Sequence, residues 1–249
     1  MTSRPLTDEQ KAIYEWQMTV AGFGQDGQQK LANTTALISR CGGLGSPLAY
    51  SLAAAGFGKL IIAHGGNVKH SDLNRQILMT DASLGTARIE SIKKKLHEFN
   101  PRMEVEGIAS NITEENAGEL VSKADIVFDC APLFTERFAL NRQCVEQNKP
   151  MIEAAMHSLE GQVMTIIPGQ SACLACLYPE DPPHWKRQFP VFGAVSALAA
   201  QIAAMEGIKV ISGIGETLAG TLLYYDTADM SFQKIAVKRN PNCPVCSNI

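Results

Sequence analysis

The chain has 249 residues, of which 45% are hydrophobic, and a formal net charge of −3 at pH 7. This size supports one sizeable core, so we expect one large domain or one domain with a small appendage. The nearly neutral charge does not favour nucleic-acid or membrane-surface partners. No apolar run reaches the roughly 18–20 residues of a membrane span, and the N-terminus has no signal-peptide pattern. A cytoplasmic protein without nucleic-acid or membrane partners is therefore expected.

The first part of the chain is predicted to be helical, over residues 7–32, with a break near GFGQDG. Strand and helix patterns then alternate, which is typical of right-handed crossovers in a mostly parallel sheet with helices on both faces. The predicted strands are Thr35–Ser39, Lys59–Ala63, Met103–Ile108, Ala124–Asp129 and Pro150–Ala154. The predicted helices lie at 46–55, 86–98, 114–122 and 134–148.

The last third of the chain has a different pattern. GQVMTIIPG predicts a strand, and PEDPPHWKRQFP predicts a loop whose His184–Arg187 segment either contacts a partner's tail or is solvated. A helix with few charges is predicted, as a buried one, over Val195–Ile211. GTLLYYDT and FQKIAVKR predict an antiparallel pair. The predicted fold is thus a Rossmann-like α/β sheet followed by an antiparallel C-terminal portion.

Four of the seven cysteines form two Cys-x-x-Cys pairs, and these are Cys173, Cys176, Cys243 and Cys246. Each pair can place two thiolates on one ion, and two pairs complete a closed, structural zinc site. Because the pairs are far apart in the sequence, the zinc would tie the chain's end to the segment that follows the sheet. A redox pair or simple buried thiols are the alternatives; redox pairs usually follow a strand and open a helix, unlike CPVC near the C-terminus.

A glycine-rich loop follows the first predicted strand, with Gly42, Gly43 and Gly45. Such glycines permit a tight turn and a close approach to phosphate, and the next helix offers free backbone N–H groups to an anion. Arg40 stands where the first glycine of a dinucleotide loop is expected, and His64 ends the second strand where an acid is expected. The pattern indicates nucleotide binding, or an α/β domain whose glycines serve packing alone.

GGLG at 42–45 is followed by SDLNRQ at 71–76 and DCAPL at 129–133. Together with the two cysteine pairs, these stretches resemble the ThiF/MoeB/HesA family, bacterial relatives of ubiquitin-activating enzymes, and the layout is closest to MoeB. The resemblance covers essentially the whole chain. It implies N-terminal helices (1–32), a nucleotide-binding half (33–155) and a zinc-bearing, carrier-binding half (156–249) in a single domain.

The same resemblance implies an adenylyltransferase that works in sulfur transfer for cofactor biosynthesis. The C-terminal carboxylate of a small ubiquitin-like sulfur carrier, or of a peptide, would attack the α-phosphate of ATP with Mg²⁺ present. An acyl-adenylate would form and pyrophosphate would leave. A homodimer is implied as well, because the family builds its sites across a two-fold axis.

The resemblance also assigns roles to single residues. Arg75, Arg88 and Asp129 are the candidate catalytic residues, with Arg88 in the place of a lysine and Asp129 as a possible magnesium ligand. The positions assigned to nucleotide binding are Arg40, Gly42, Gly43, Gly45, His64, Asn74, Arg75, Gln76 and Arg88.

Several positions depart from the family pattern. Asp72 replaces an asparagine, Pro132 replaces the magnesium-binding aspartate, and Trp16 replaces the arginine that one subunit lends to the other. Loss of such a charge stabiliser typically costs on the order of 10²–10³ in rate. The sequence therefore leaves two hypotheses open. The chain is an adenylating enzyme, or it is a catalytically silent or re-purposed homologue that binds a partner.

Overall fold

The computed structural model describes residues 4–182 and 188–249, and in this part of the chain eight strands form one continuous sheet. The strands are β1 (Thr35–Ile38), β2 (Lys59–Ala63), β3 (Glu104–Ile108), β4 (Ile126–Asp129), β5 (Met151–His157), β6 (Glu160–Ile166), β7 (Thr221–Asp226) and β8 (Ser231–Ala236). Their order in the sheet is β3-β2-β1-β4-β5-β6-β7-β8.

The first five strands are parallel to one another, and β5 to β8 pair in antiparallel fashion. This arrangement confirms the predicted Rossmann-like sheet with an antiparallel C-terminal portion. The chain moves outward in one direction from β1 to β2 and β3, and in the other direction from β1 to β4 and β5. The strand order therefore reverses between β1 and β4, which is where open α/β sheets bind their ligands.

The helices in the described residues are α1 (Asp8–Ile13), α2 (Glu15–Met18), α3 (Gly24–Ala32), α4 (Gly45–Ala55), α5 (Arg88–Phe99), α6 (Glu114–Ser122), α7 (Phe134–Glu146), α8 (Leu174–Leu177) and α9 (Gly193–Ser212), with 3-10 helices at His70–Asp72 and Asp81–Ser83. The break near GFGQDG lies at its first residues, because Gly22 and Gly24 have positive φ and α3 begins at Gly24. The short helix α8 was not predicted.

Side chains that alternate along the strands separate two cores. On β1, Ile38 joins a cluster with residues of α3, α4, α5 and α9, whereas its neighbour Leu37 joins a cluster with residues of α6 and α7. Ile62 and Ile61 on β2 divide in the same way. Because successive side chains of a strand point to opposite faces, a continuous apolar run fills both cores at once.

Helix α9 is the one helix in the described part of the chain that is long and apolar enough to cross a membrane, judged by length and composition only. It lies against β5 and β6. Its one buried carboxylate, that of Glu206, accepts a hydrogen bond from the backbone N–H of Leu218 at 2.7 Å. The helix is only partly covered, in contrast to the prediction that it is buried, since Met205 is 47% exposed.

The turn between β1 and α4 shows which glycine is required by packing. A Cβ atom on Gly45 would lie 1.9 Å from the carbonyl oxygen of Arg40, so this position needs glycine. A Cβ on Gly42 would have Gln76 Cδ as its nearest neighbour at 3.9 Å, which is an ordinary contact. Packing therefore explains Gly45 and leaves Gly42 without a structural reason.

We predict that Gly45→Ala lowers the free energy of unfolding by more than about 2 kcal/mol, because the added methyl must displace backbone. The matched control, Gly42→Ala, should change stability by less than about 0.5 kcal/mol. Urea denaturation of both variants checks this. Equal losses of stability would show that the close approach at Gly45 is not what constrains the turn.

Candidate functional site

A cavity of about 230 Å³ opens at the carboxyl ends of β1, β2 and β4, at the point where the strand order reverses. Its walls come from the glycine loop, the 71–76 segment, the start of α5, the loop after β4, the middle of β5 and the first turn of α9. The cavity therefore collects three stretches that the sequence had singled out separately: GGLG, SDLNRQ and DCAPL.

Basic side chains dominate the lining. In the described part of the chain Asp72 is the one carboxylate that lines the cavity. Two of the lining cations, Lys69 and Arg75, form no ion pair with a described carboxylate. The cations of the lining are Arg40, Lys69, Arg75, Arg88 and Arg137. This composition favours an anionic ligand.

Arg88 and Asp72 form a buried ion pair in the floor of the cavity. Asp72 Oδ2 accepts from Arg88 Nη2 at 2.8 Å and Nε at 3.1 Å, and Oδ1 accepts from Gln76 Nε2 at 2.7 Å. Arg88 Nη1 also donates to the carbonyl of Gly65 at 3.1 Å. Two departures from the family pattern, the aspartate and the arginine, are thus partners that neutralise each other.

Arg40 is held by a second buried pair. Its Nε and Nη2 donate to the carboxylate oxygens of Glu136, at 2.7 and 2.5 Å, and both side chains are buried. Glu136 lies in the first turn of α7, so the pair joins the glycine loop to the helix on the other side of the cavity. The sequence analysis did not identify Glu136. A buried arginine requires a carboxylate partner, but that requirement does not say which carboxylate it is.

His64 directly follows β2 and lines the cavity, where its Nδ1 is buried and has no hydrogen-bond partner in the described structure. Gln76 Oε1 is likewise buried and unpaired. Burial, and then the positive charges of Arg40 and Arg88, lower the pKa of His64 from its ordinary 6.5 to about 3. The imidazole is therefore neutral at physiological pH and can exchange a hydrogen bond with a hydroxyl, but does not act as a cation.

Asp129 lies behind the cavity wall. It is fully buried at the end of β4, and its Oδ1 accepts from the Ser39 hydroxyl at 3.3 Å and the Ala131 N–H at 3.0 Å. Burial raises its pKa. The residue of this loop that does line the cavity is Pro132. A role for Asp129 as a magnesium ligand stays a prediction, and its position here does not present it to a ligand in the cavity.

Arg137, which the sequence analysis missed, is fixed between two buried carboxylates. Its Nη1 donates to Glu153 at 2.6 Å and lies 3.5 Å from Asp129 Oδ2, while its Nε donates to the carbonyl of Ala131 at 2.7 Å. Burial raises the pKa of Glu153 to about 7. Arg137 lines the main cavity and also a neighbouring cavity of about 100 Å³, so it stands in the wall between them.

Of the other residues that the sequence singled out, some line the cavity and some lie outside it. Arg75 lines the cavity and its Nη1 donates to the carbonyl of Ser71 at 2.7 Å and to Asn74 Oδ1 at 2.8 Å. Asn74 itself is exposed and is not part of the described lining. Trp16 is 85% exposed on α2, away from the cavity. His184–Arg187, considered as a contact for a partner's tail, lie outside the described residues.

The four cysteines of the two pairs form one cluster, with all four sulfur atoms within 4.8 Å of one another. The Sγ atoms of Cys173 and Cys243 are 3.6 Å apart, and those of Cys176 and Cys246 are 3.5 Å apart. Tetrahedral zinc with Zn–S bonds of about 2.3 Å requires sulfur separations of roughly 3.8 Å, so the cluster can hold such an ion. Asn141 of α7 holds the segment of the first cysteine pair, since its Oδ1 accepts a hydrogen bond from the Leu174 N–H at 2.9 Å.

We predict that His64 makes the stability depend on acid pH. Its pKa is about 3 in the folded chain and near 6.5 when unfolded, so the unfolded chain binds the extra proton between these values. The contribution of His64 to the free energy of unfolding is therefore complete above pH 6.5 and is lost as the pH falls toward 3. Denaturation curves at several pH values should show a weaker dependence for His64→Asn than for the wild type. The exposed His97→Asn should keep the wild-type dependence, and equal curves for all three would contradict the prediction.

A second prediction concerns the cysteine cluster. Cys243→Ser should abolish the binding of one equivalent of zinc and lower the melting temperature by on the order of 10 °C, because the metal closes a long loop and stabilises the folded state. The control is Cys144→Ala, a buried cysteine outside the cluster, which should retain the metal. Elemental analysis with thermal denaturation measures both. Full zinc content in Cys243→Ser would refute the assignment.

Comparisons with known proteins agree with this geometry. Residues 14–245 match the ThiF family. Protein HesA of Leptolyngbya boryana is 44% identical over 243 residues, which are 98% of this chain and 88% of that protein. The sulfur carrier protein adenylyltransferase of Thermus thermophilus is 35% identical over 251 residues, covering 97% of this chain and 93% of the relative.

Solved structures show the same fold. E. coli MccB with MccA superposes with a TM-score of 0.85 at 25% identity, covering 98% of this chain and 76% of MccB. E. coli MccB with ATP gives a TM-score of 0.77 at 26% identity, covering 89% and 69% of the two chains. With the family match over most of its length and relatives at this level of identity, the chain belongs to the ThiF family.

Proposed function

We propose that this protein binds ATP in the cation-lined cavity and adenylates a carboxylate, the C-terminus of a small ubiquitin-like sulfur carrier or of a peptide. The observation that carries the proposal is the excess of cations around a cavity at the switch point of a ThiF-type sheet, beside the GGLG loop. The relative from Thermus thermophilus is named as a sulfur carrier protein adenylyltransferase, and MccB has been solved with ATP. Both support this activity.

The phosphates of the nucleotide would lie at the glycine loop. Gly42 and Gly43 line the cavity and directly precede α4, so the positive end of the helix dipole lies there. Few amides of this end are free, because Ser46 N–H donates to the Gly42 carbonyl and Pro47 has none. Arg75 and Lys69 have no carboxylate partner among the described residues, so their charge is available to phosphate oxygens. Arg88 is kept in place by Asp72 and adds a fixed charge. Such pre-oriented cations stabilise charge that develops in the transition state.

The nucleoside would lie toward the end of β2. His64 Nδ1 and Gln76 Oε1 are two buried polar atoms without partners, and both residues line the cavity. The other ring nitrogen of His64 bonds to the backbone of Cys41, so Nδ1 of the neutral imidazole is an acceptor. Nδ1 and the amide oxygen can therefore each accept a hydrogen bond from a hydroxyl group. A ribose provides such hydroxyls. His64 would then take the part of the acid that the family pattern places at this strand end.

In the reaction, a carboxylate oxygen of the carrier forms a bond to the α-phosphorus while the bond from this phosphorus to the bridging oxygen of pyrophosphate breaks. The electron pair of the broken bond leaves with pyrophosphate, so negative charge grows on the leaving group. Arg75, Arg88 and Lys69 are the side chains we propose to stabilise that charge. For Asp129, the remaining catalytic candidate from the sequence, we propose a role in supporting the loop after β4, because it is buried and accepts from the Ala131 N–H.

A silent homologue that only binds a partner is the second candidate. It is favoured by Trp16, which offers no cation to a neighbouring subunit, and by Pro132 in the cavity wall. The two candidates differ in one observable, which is whether a carboxylate is activated when ATP binds.

We also propose a homodimer, a structural zinc ion in the cysteine cluster and a cytoplasmic location. For the dimer, support comes from apolar side chains that the single chain leaves exposed, including Trp16, Phe192 and Met205 at 85%, 66% and 47% exposure. For zinc, support comes from four sulfur atoms at separations suited to one tetrahedral ion.

We predict that the wild-type protein binds ATP in calorimetry and exchanges pyrophosphate into ATP when a small sulfur carrier with a free C-terminal carboxylate is present. Arg75→Ala should lower the exchange rate on the order of 10²-fold, because a charge stabiliser is lost. The surface variant Arg102→Ala, a residue paired with Glu9 far from the cavity, should retain the rate. Light scattering of the same samples reports whether the protein is a dimer.

Carriers with an amidated C-terminus should give no exchange, since the attacking oxygen is blocked. ATP binding without exchange for any carboxylate carrier tested would favour the silent homologue. No binding of ATP at millimolar concentration would refute both the activity and the nucleotide site.

A further inference from the structure

We infer that the cavity recognises phosphate groups as free anions, through its arginine and lysine side chains, and that its described residues provide no free carboxylate for a divalent cation. The inference rests on the proposed function in one respect, because it takes the phosphates to be those of a nucleotide. It concerns which groups neutralise the phosphate charge, and it predicts that Mg²⁺ is not needed for binding.

The donor set of the cavity carries the first step. Mg²⁺ is bound in proteins by carboxylate and other oxygen ligands. The described lining contains one carboxylate, Asp72, and both of its oxygens are occupied. Oδ1 accepts from Gln76, while Oδ2 accepts from two nitrogens of Arg88 and from the backbone N–H of Lys69 at 2.9 Å. Binding a metal at Asp72 would require the buried Arg88 charge to lose its partner, which is strongly unfavourable.

The loop after β4 supplies no better ligand. Its lining residues are Cys130, Ala131 and Pro132. The side chains of alanine and proline carry no ligand atom. Cys130 offers sulfur, a soft ligand that is poorly suited to a hard cation. The position where a metal ligand is expected from the family pattern is therefore a hydrocarbon surface.

The buried carboxylates of Glu153 and Asp129 are both close to an arginine that lines the cavity. Arg137 Nη1 lies 2.6 Å from Glu153 and 3.5 Å from Asp129, and both carboxylates have no exposed surface. Arg137 itself lines the cavity. A guanidinium thus separates these acids from any ligand, and a divalent cation in the cavity would meet the arginine first.

The potential inside the cavity is also positive. His64, which is buried between Arg40 and Arg88, is held neutral in part by their charges. Lys69 and Arg75 add two cations without a described carboxylate partner. Because like charges repel, the same groups that attract phosphate oppose Mg²⁺.

The test compares two probes, ATP and inorganic tripolyphosphate, in calorimetry with the wild-type protein in excess EDTA and in excess Mg²⁺. We expect the dissociation constant of ATP in EDTA to be lower than that in Mg²⁺, or to differ from it by no more than about threefold. An affinity more than about tenfold tighter in Mg²⁺ would overturn the inference and leave the proposed nucleotide function intact. Failure of both probes to bind in EDTA would overturn it as well.

The probes also separate this inference from the proposed function. Binding of tripolyphosphate in EDTA without binding of ATP under either condition would support direct phosphate recognition and refute the nucleotide site. Binding of both probes in EDTA would support direct recognition and the nucleotide site together.

Two matched variants at position 132 test whether a carboxylate in the cavity wall makes ATP binding depend on the metal. Pro132→Asp places a carboxylate in the cavity wall, so ATP should bind about tenfold more weakly in EDTA and recover when Mg²⁺ is added. Pro132→Asn has nearly the same shape without the charge and should show neither effect. Identical affinities for the two variants under both conditions would mean that the phosphates do not lie near this wall, which would contradict the inference.

Discussion

Every buried arginine at the carboxyl edge of the sheet is held by a buried carboxylate. Arg40 is paired with Glu136, Arg88 with Asp72, and Arg137 with Glu153 and Asp129. Taking a guanidinium out of water costs several kcal/mol unless a partner accepts its hydrogen bonds. The pairs therefore fix the side chains around the cavity in one arrangement, and they do so with elements from both sides of the switch point. The first pair fixes the glycine loop relative to α7, and the second fixes the 71–76 segment relative to the start of α5.

The buried ion pairs give the departures from the family pattern a different meaning. The aspartate at position 72 and the arginine at position 88 neutralise each other, and the arginine at position 40 has its own acid on α7. These substitutions are therefore not independent losses. They redistribute charge so that fixed cations face the cavity and no carboxylate is free to hold a metal in the described lining. The same observations support an anion site and explain why the sequence alone left two hypotheses open.

The sheet and the cysteine cluster could be predicted because their signals are local. Lys59–Ala63 is found as predicted, since an apolar run between a glycine and a polar loop leaves little choice, and the two Cys-x-x-Cys pairs carry their own geometry. Partners across space could not be predicted in this way. Glu136 lies 96 positions from Arg40, and nothing near either residue indicates the other. The sequence likewise placed Asp129 among the catalytic candidates, but it does not indicate that this residue is buried and lies beside Arg137 of α7.

Helix α7 connects the two sites. Its first turn carries Glu136, which binds Arg40 of the cavity lining, and Arg137, which lines the cavity itself. One turn further, Asn141 accepts a hydrogen bond from the segment that holds the first cysteine pair. A rigid helix cannot rotate at one end alone. Order in α7 therefore serves both the cysteine cluster and the ligand cavity, so a substitution that unfolds the start of this helix would disturb the two together.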